Sequence, residues 1–577
     1  MFKRIEKEDS EPEFATSFNV ECLCRTPKPL KDAVNFKDDL NSLFRQGLEG
    51  KLEHKFYLSS LDPGLGKTES YLSFLRWWKA SDFEPEGSVL ICLSTIREIE
   101  EVIPRSGLGK ADYAVLVTAS NPLNQLGRGA SERDKARVLF TTHSMMEKRL
   151  RGKLLAFNES LHFEGKARTL RIWDESLLPR TPVSIRVDDM AGLASPLRGN
   201  FPGFVAAVEA FVLSVRTMGA GGSVMVPAFT SDISSALPSK RLDPDEEKTV
   251  DALLRMQGCR MQVVHDRYHG LALVGATQAL PDDIKPLIIL DASGRVSSTY
   301  DLWETHGTNL VRLPSVAADY ANLSVHVWQN PAGKKYLGNG ANRRRIVEEL
   351  VRIINANPSE PWLVIGKKDS LVEIQKEVDD AKPRSARVEY LNWGAHFGVN
   401  DYREFKNIIV IGAWPHTSAA YQARYIAATG ACPSTLSGKE WTKIKSGELK
   451  GNLLQAICRG NVRNHTGGRC GDSTVYLIVD KGCRPLRLVR ETFPGCKVLD
   501  WTPIMATPSK HAAAVIEVIK KAFEEPSLAR LRKAVVLTRA GISAKVASGV
   551  YRHRAVAEYL TSAGLAMDAR WFKRQVP

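Results

Sequence analysis

The chain has 577 residues, 43% hydrophobic and 25% charged, which is ordinary for a globular protein and too long for a single core. Its 80 Lys+Arg against 65 Asp+Glu leave a net charge of +15, which points first to a polyanionic partner. No apolar run approaches the ~20 residues that cross a bilayer, Met1–Asp9 lacks the apolar core of a signal peptide, and the nine cysteines include no C-x-x-C pair. The expectation is therefore reduced thiols, no structural zinc, no membrane contact and a cytoplasmic location.

Short Val/Ile/Leu-rich runs alternate with helical segments along most of the chain. The first series is Phe56–Ser60, Val89–Leu93, Ala114–Thr118, Val138–Thr142, Leu170–Trp173 and Leu287–Leu290. The second is Val325–Trp328, Trp362–Ile365, Val388–Leu391, Ile408–Ile411 and Val475–Ile478. Near-continuous apolar strands imply burial on both faces, as in parallel sheets flanked by helices. Two series predict two α/β domains, at 51–312 and 313–507, behind an N-terminal extension over 1–50. Residues 178–281 interrupt the first series with a helical stretch, a Gly219–Gly222 connector and the charged Asp243–Lys248, and read as an accessory lobe. Residues 508–577 form a separate basic segment with 13 basic residues against five acids, more than half of the net charge in an eighth of the chain.

Chemistry concentrates after the first strand. Phe56–Ser60 runs into Leu61-Asp62-Pro63-Gly64-Leu65-Gly66-Lys67-Thr68-Glu69 and then a helical run to Trp78, the layout of a phosphate-binding loop. The loop Pro63–Glu69 would wrap a phosphate at the helix N-terminus, through the backbone N–H groups from Gly64 to Glu69. Lys67 would reach the β- and γ-phosphates of ATP, and the Thr68 hydroxyl would bind Mg²⁺. Leu61 stands where G-x-x-x-x-G-K-[ST] has glycine; the form here is x-x-x-G-x-G-K-T. About a hundred residues on, the strand Leu170–Trp173 ends in Asp174 and Glu175. In P-loop enzymes the first such acid holds Mg²⁺ and the second polarises the attacking water.

With these two motifs the chain resembles superfamily 2 (DEAD/DEAH-like) helicases and translocases over roughly residues 55–480. The resemblance implies two tandem RecA-like P-loop domains, nucleic-acid-dependent ATPase activity, and further motifs that fall here in the family's order. Ser94 and Thr95, then Thr141 and Thr142, match positions that touch the nucleic-acid backbone. Asp291, Ala292 and Ser293 resemble the Ser-Ala-Thr motif that couples hydrolysis to strand movement, and Gly398 and Asn400 resemble the fifth motif. Gln455, Arg459 and Arg463 resemble the sixth, whose arginine crosses the interdomain cleft to neutralise the γ-phosphate. Spacings of four and eight after Gln455, rather than four and seven, still share one helical face, so either arginine fits that role.

In the basic segment, helices are expected over Leu528–Leu537, Ile542–Gly549 and Tyr551–Ala563, with a small wing at Leu565–Phe572. This resembles a winged helix-turn-helix, with Arg552 and Arg554 at the end that meets nucleic acid. The sequence thus reads as an ATP-dependent DNA helicase, with DNA favoured over RNA because of this segment. Alternatives are a duplex translocase that separates no strands, an RNA helicase, and an ATP-switched DNA-binding regulator; protein partners are not legible.

Overall fold

A computed structural model describes residues 34–81, 87–229, 242–266, 269–307, 309–395, 401–503 and 509–574. The first sheet has seven parallel strands in the order Leu310–Arg312, Phe56–Ser59, Leu287–Leu290, Leu170–Asp174, Val89–Leu93, Val138–Thr142, Tyr113–Leu116. Both faces are covered, which is why the strands carry almost no polar residue. On one side lie the helix Lys67–Ala80, through Tyr71, Leu72, Phe74, Leu75 and Trp78, and the helix Val34–Leu48, through Leu40, Leu43 and Phe44. The first core therefore draws on residues ahead of position 51. On the other side Met145, Met146, Trp173, Tyr300 and Trp303 close the second layer.

The second sheet has six parallel strands in the order Val388–Asn392, Trp362–Gly366, Asn407–Ile411, Ser473–Val479, Leu323–Gln329, Lys497–Asp500. The two sheets form tandem RecA-like domains. All eleven expected strands are present; Leu310–Arg312 and Lys497–Asp500 are added as edges, too short or too polar to stand out in sequence. Among the described residues no helix is long and apolar enough to cross a membrane.

Residues 178–281 fold into a lobe with its own antiparallel sheet, in the order Arg180–Arg186, Gly270–Gln278, Arg260–Asp266, Ser223–Met225. One face packs on the helices Pro202–Met218 and Pro244–Arg255 through Phe204, Val208, Phe211, Leu253 and Val263. The other face, through Val264, Ala272 and Val274, meets Ala419, Ala423 and Ile426 of the second domain's helix Ser418–Thr429. Asp266 caps that helix, accepting from Ser418 Oγ at 2.6 Å and Ala419 N–H at 3.1 Å. The lobe grows from the first domain and docks on the second.

The C-terminal segment is winged-helix-like. The helix Lys510–Phe523, strand Arg530–Arg532, helix Lys533–Arg539, short helix Ala547–Tyr551, helix Arg554–Ser562 and the hairpin Leu565–Met567/Trp571–Arg574 follow in order. They enclose Val515, Ile519, Leu531, Val536, Val556, Leu560 and Phe572. The expected helices are corrected: none spans Leu528–Leu537, and in place of Ile542–Gly549 a single turn at Ala544–Val546 leads into Ala547–Tyr551. Arg530-Leu531-Arg532 alternates polar, apolar, polar, so it pairs as a strand with Trp571–Lys573 and buries only Leu531. The third helix starts at Arg554 rather than Tyr551, where His553 Nδ1 accepts from Ala555 N–H at 3.2 Å.

The two RecA-like domains are joined through a buried carboxylate. Asp62, fully buried in the phosphate loop, accepts from Arg295 Nε at 3.0 Å and Nη2 at 2.9 Å. It also accepts from Ala318 N–H at 3.0 Å and Tyr320 Oη at 2.8 Å in the interdomain segment. Arg295 Nη2 donates onward to Thr492 O of the second domain at 3.0 Å. Asp62→Ala would leave the guanidinium buried without its counter-charge, and should destabilise the protein by about 3–5 kcal/mol. A urea titration of the variant checks this; a loss below about 1 kcal/mol would mean that the pair contributes little.

Candidate nucleotide site between the two domains

The phosphate loop leaves the C-terminal end of Phe56–Ser59, and Asp174–Glu175 and Asp291–Ser293 leave the ends of two neighbouring strands. In open α/β sheets ligands collect at that edge. Gly64 and Gly66 hold φ of +90° and +98°, which L side chains rarely adopt. Gly64 has a second constraint: a Cβ there would stand 2.0 Å from Arg463 O and 2.8 Å from His465 Nδ1. The second domain rests directly against the loop at this glycine.

Lys67 Nζ donates to Leu61 O at 2.8 Å. Burial pushes its ammonium down, against the pull of Asp174, Asp291, Asp62 and Glu175. Thr68 Oγ1 donates to Asp174 Oδ2 at 3.2 Å, and Tyr71 Oη to the same oxygen at 3.4 Å. Burial pushes the Asp174 carboxyl up to about 6, with Lys67 opposing. One hydroxyl beside one carboxylate is a donor set that suits Mg²⁺, which takes few protein ligands and completes its shell with substrate phosphates and water. Glu69 lies at the first turn of the helix and pairs with Arg76 and with Arg105, the latter at 2.9 Å.

Glu175 adopts φ +94°, a strained conformation for a side-chain-bearing residue, held by its N–H to Leu290 O at 3.0 Å. Burial, then the nearby Glu98 charge, raises its carboxyl to about 7, with Arg459 opposing. An acid titrating near neutrality is suited to general-base work. Arg459 is buried, and its Nη2 donates to Gln455 Oε1 at 3.0 Å. Arg463 lines the same cleft, its guanidinium pushed down to about 10 by burial and by Arg403 and Arg459.

The cleft encloses about 470 Å³ and is lined from the first domain by the loop, Asp174, Glu175 and Ala292, and from the second by Gln455, Arg459 and Arg463. Pro63, Gly64, Gly66, Lys67, Thr68 and Glu69 line it too, while Leu65 packs into the apolar cores. Arg459 and Arg463 do not share a helical face. The helix Gly438–Ile457 ends before them, Gly460 turns the chain against Phe405 O, and Arg463 closes the short turn Asn461–Arg463. Tertiary packing, rather than helical spacing, brings both to the cleft.

Asp291 accepts from Ser293 N–H and Oγ at 2.7 and 2.8 Å and from Tyr300 Oη at 2.9 Å. The turn Ala292–Arg295 thereby links the active-site strand to Arg295 and Asp62. Gly447 and Gly451 let the helix Gly438–Ile457 approach Ser298 and Ser293.

The expected backbone-contacting hydroxyls are largely engaged within the fold. Thr141 is fully buried and donates to Leu116 O at 2.7 Å, which takes it away from any surface. Thr142 and Thr95 cap the helices His143–Leu150 and Ile96–Val102, Thr95 in a capping box with Glu98. Ser94 lies beside Glu175. Arg552 is exposed at the end of Ala547–Tyr551; Gly398, Asn400 and the Arg554 side chain lie outside the described residues. Residues that sequence reasoning missed are Arg403, Asn464 and His465, all on the cleft wall. Asn464 and His465 directly follow Arg463 and were within reach of the motif; Arg403 has no spacing that marks it.

No family model and no curated protein matches the chain. Among solved structures it is similar to S. tokodaii Xpd4 at 12% identity and TM-score 0.45, over 80% of this chain and 99% of that one. It is similar to S. cerevisiae Dbp5 bound to RNA and ADP BeF3 at 11% and 0.35, over 82% and 93%. It is also similar to the DUF1998 helicase MrfA bound to DNA at 12% and 0.33, over 95% and 63%. Likenesses of this degree say nothing about what this chain acts on.

Gly64→Ala tests the contact across the cleft. A methyl at that position separates Arg463 from the loop, so nucleotide turnover should fall about a hundredfold, the usual consequence of an ångström-scale misplacement. The midpoint of thermal unfolding, measured alongside, should move by only a few degrees. Unchanged turnover would mean that the two walls need not meet.

Proposed function

We propose that the chain is an ATP-dependent nucleic-acid motor of superfamily 2 type, with a DNA helicase as its most fitting form. The single observation that carries this reading is the meeting of Lys67, Thr68, Asp174 and Glu175 with Arg459 and Arg463 in one interdomain cleft. In this reading Lys67 neutralises phosphate charge and Glu175 takes a proton from the attacking water. Arg459, whose positive charge opposes the rise of the Glu175 carboxyl, is the arginine that meets the γ-phosphate. Thr68 and Asp174 would hold Mg²⁺, which supplies charge neutralisation on the phosphates. Because the cleft needs both walls, binding and release of nucleotide become relative movement of the two domains.

The preference for DNA comes from the winged-helix-like C-terminal domain and its share of the positive charge. The deciding experiment compares ATPase rates with single-stranded DNA, duplex DNA and RNA, beside a strand-displacement assay. Stimulation by single-stranded DNA with displacement is expected. Stimulation by duplex alone would make the protein a translocase, stimulation by RNA alone an RNA helicase, and absence of all stimulation would overturn the motor.

Four substitutions test the chemistry. Lys67→Ala should abolish turnover, whereas Glu175→Gln should retain ATP binding, read by a fluorescent ATP analogue, and lose hydrolysis. Arg459→Ala should cost about a thousandfold in kcat; if Arg463→Ala costs that instead, the arginine roles are reversed.

A further inference from the structure

We propose that the outer face of the three-stranded C-terminal sheet is a platform for single-stranded nucleic acid, with Trp571 as its base-stacking centre. The inference rests on the motor reading above and moves the contact away from the helix end that the sequence suggested.

The sheet pairs Arg530–Arg532 with Trp571–Arg574, Arg530 opposite Lys573 and Arg532 opposite Trp571. Directly paired residues, and residues two apart, share one face of a sheet. Leu531 and Phe572 therefore point into the core, where both are buried. Arg530, Arg532, Trp571 and Lys573 stand together on the opposite face, with the three cations exposed and the indole half-buried. The Arg530 and Arg532 guanidinium carbons lie 4.8 and 5.1 Å from the centroid of the Trp571 ring.

Like charges directly opposite each other weaken a sheet. Here Arg530 faces Lys573 across the ladder, and Asp568 pairs with Lys573 at 2.7 Å. Contact with the indole offsets part of that repulsion; a polyanion laid across the face would offset far more. The composition also selects the occupant. An aromatic ring flanked by guanidinium groups stacks an unpaired base and holds the phosphates on either side. A duplex keeps its bases stacked on one another and would leave the indole idle.

The test uses the full-length protein without nucleotide and measures affinity for a labelled oligothymidylate, its RNA counterpart and a blunt hairpin duplex across a salt series. Trp571→Ala should weaken single-strand binding about tenfold, Trp571→Phe less than about threefold, with duplex binding unchanged in both. Arg530→Gln with Arg532→Gln should reduce the salt slope for the single strand by about 1.4. The DNA and RNA arms tell which strand the face takes. Unchanged single-strand affinity and slope would overturn the platform, as would an equal loss for duplex, or a loss in Trp571→Phe as large as in Trp571→Ala. Unstimulated ATPase should stay at the wild-type rate in every variant. Failure of the platform with nucleic-acid stimulation intact would leave the motor reading standing, whereas a wild-type protein that is not stimulated would remove that reading itself.

Discussion

The structure depends on one buried carboxylate. Asp62 sits inside the phosphate loop, yet its partners lie elsewhere: Arg295 in the turn after an active-site strand, and Ala318 and Tyr320 in the segment joining the domains. A buried ion pair is weak evidence for net stability, since desolvation of both ions cancels most of their attraction. What it supplies here is geometry. Removing either ion strands the other, so the loop, the turn and the interdomain segment have one mutual arrangement that satisfies all of them. Arg295 extends that arrangement to Thr492 O, so the position of the phosphate loop is also a statement about the position of the second domain.

This explains why the cleft between the domains holds its two walls in one arrangement and why its titratable groups are displaced from their ordinary ranges. Lys67, Asp174, Glu175 and Arg459 are taken out of water by the closed arrangement, and each is shifted first by that burial. Lys67 opposes the rise at Asp174 and Arg459 that at Glu175, whereas the neighbouring acids add to both. Glu175 adds backbone strain to the same place. Strain of that kind persists only where the surroundings over-determine it, and here the strand pairing and the Leu290 carbonyl do so.

Much of this was legible in the sequence, for physical reasons. Strands buried on both faces write themselves as apolar runs, and all eleven were found. The loop and the acids are local strings whose residue types follow from phosphate and metal chemistry. The Asp62–Arg295 pair was not legible, because 233 positions separate its members and no spacing connects them. For Thr141 and Thr142 the sequence left two uses open, because Ser and Thr at strand ends serve both ligands and caps; only the hydrogen-bond partners distinguish these uses. Arg459 and Arg463 were placed at this cleft by the motif they resemble, whereas the shared helical face expected of them does not exist, since the helix ends at Ile457. In the C-terminal domain the three residues Arg530–Arg532 were too few to announce a strand.

The lobe at 178–281 shows how far local reading can miss a global role. Its strand Arg260–Asp266 buries Val263 on one side against the lobe's own helices and Val264 on the other against the second domain. A strand with two buried faces in an antiparallel sheet is the signature of a sheet pressed between two layers. Around it, Asp266 caps Ser418–Thr429, and the Arg180 guanidinium covers Gly430 at the far end of the same helix. The two RecA-like domains are thus joined at the interdomain segment, across the cleft and through this lobe, and also where the helix Ser298–His306 packs on Ser418–Thr429 and Gly438–Ile457 through Leu302, Tyr421, Tyr425 and Ile444. The seam of the lobe runs through Val264, Ala272 and Val274 against Ala419, Ala423 and Ile426, and the Asp266 cap registers the lobe on the helix Ser418–Thr429.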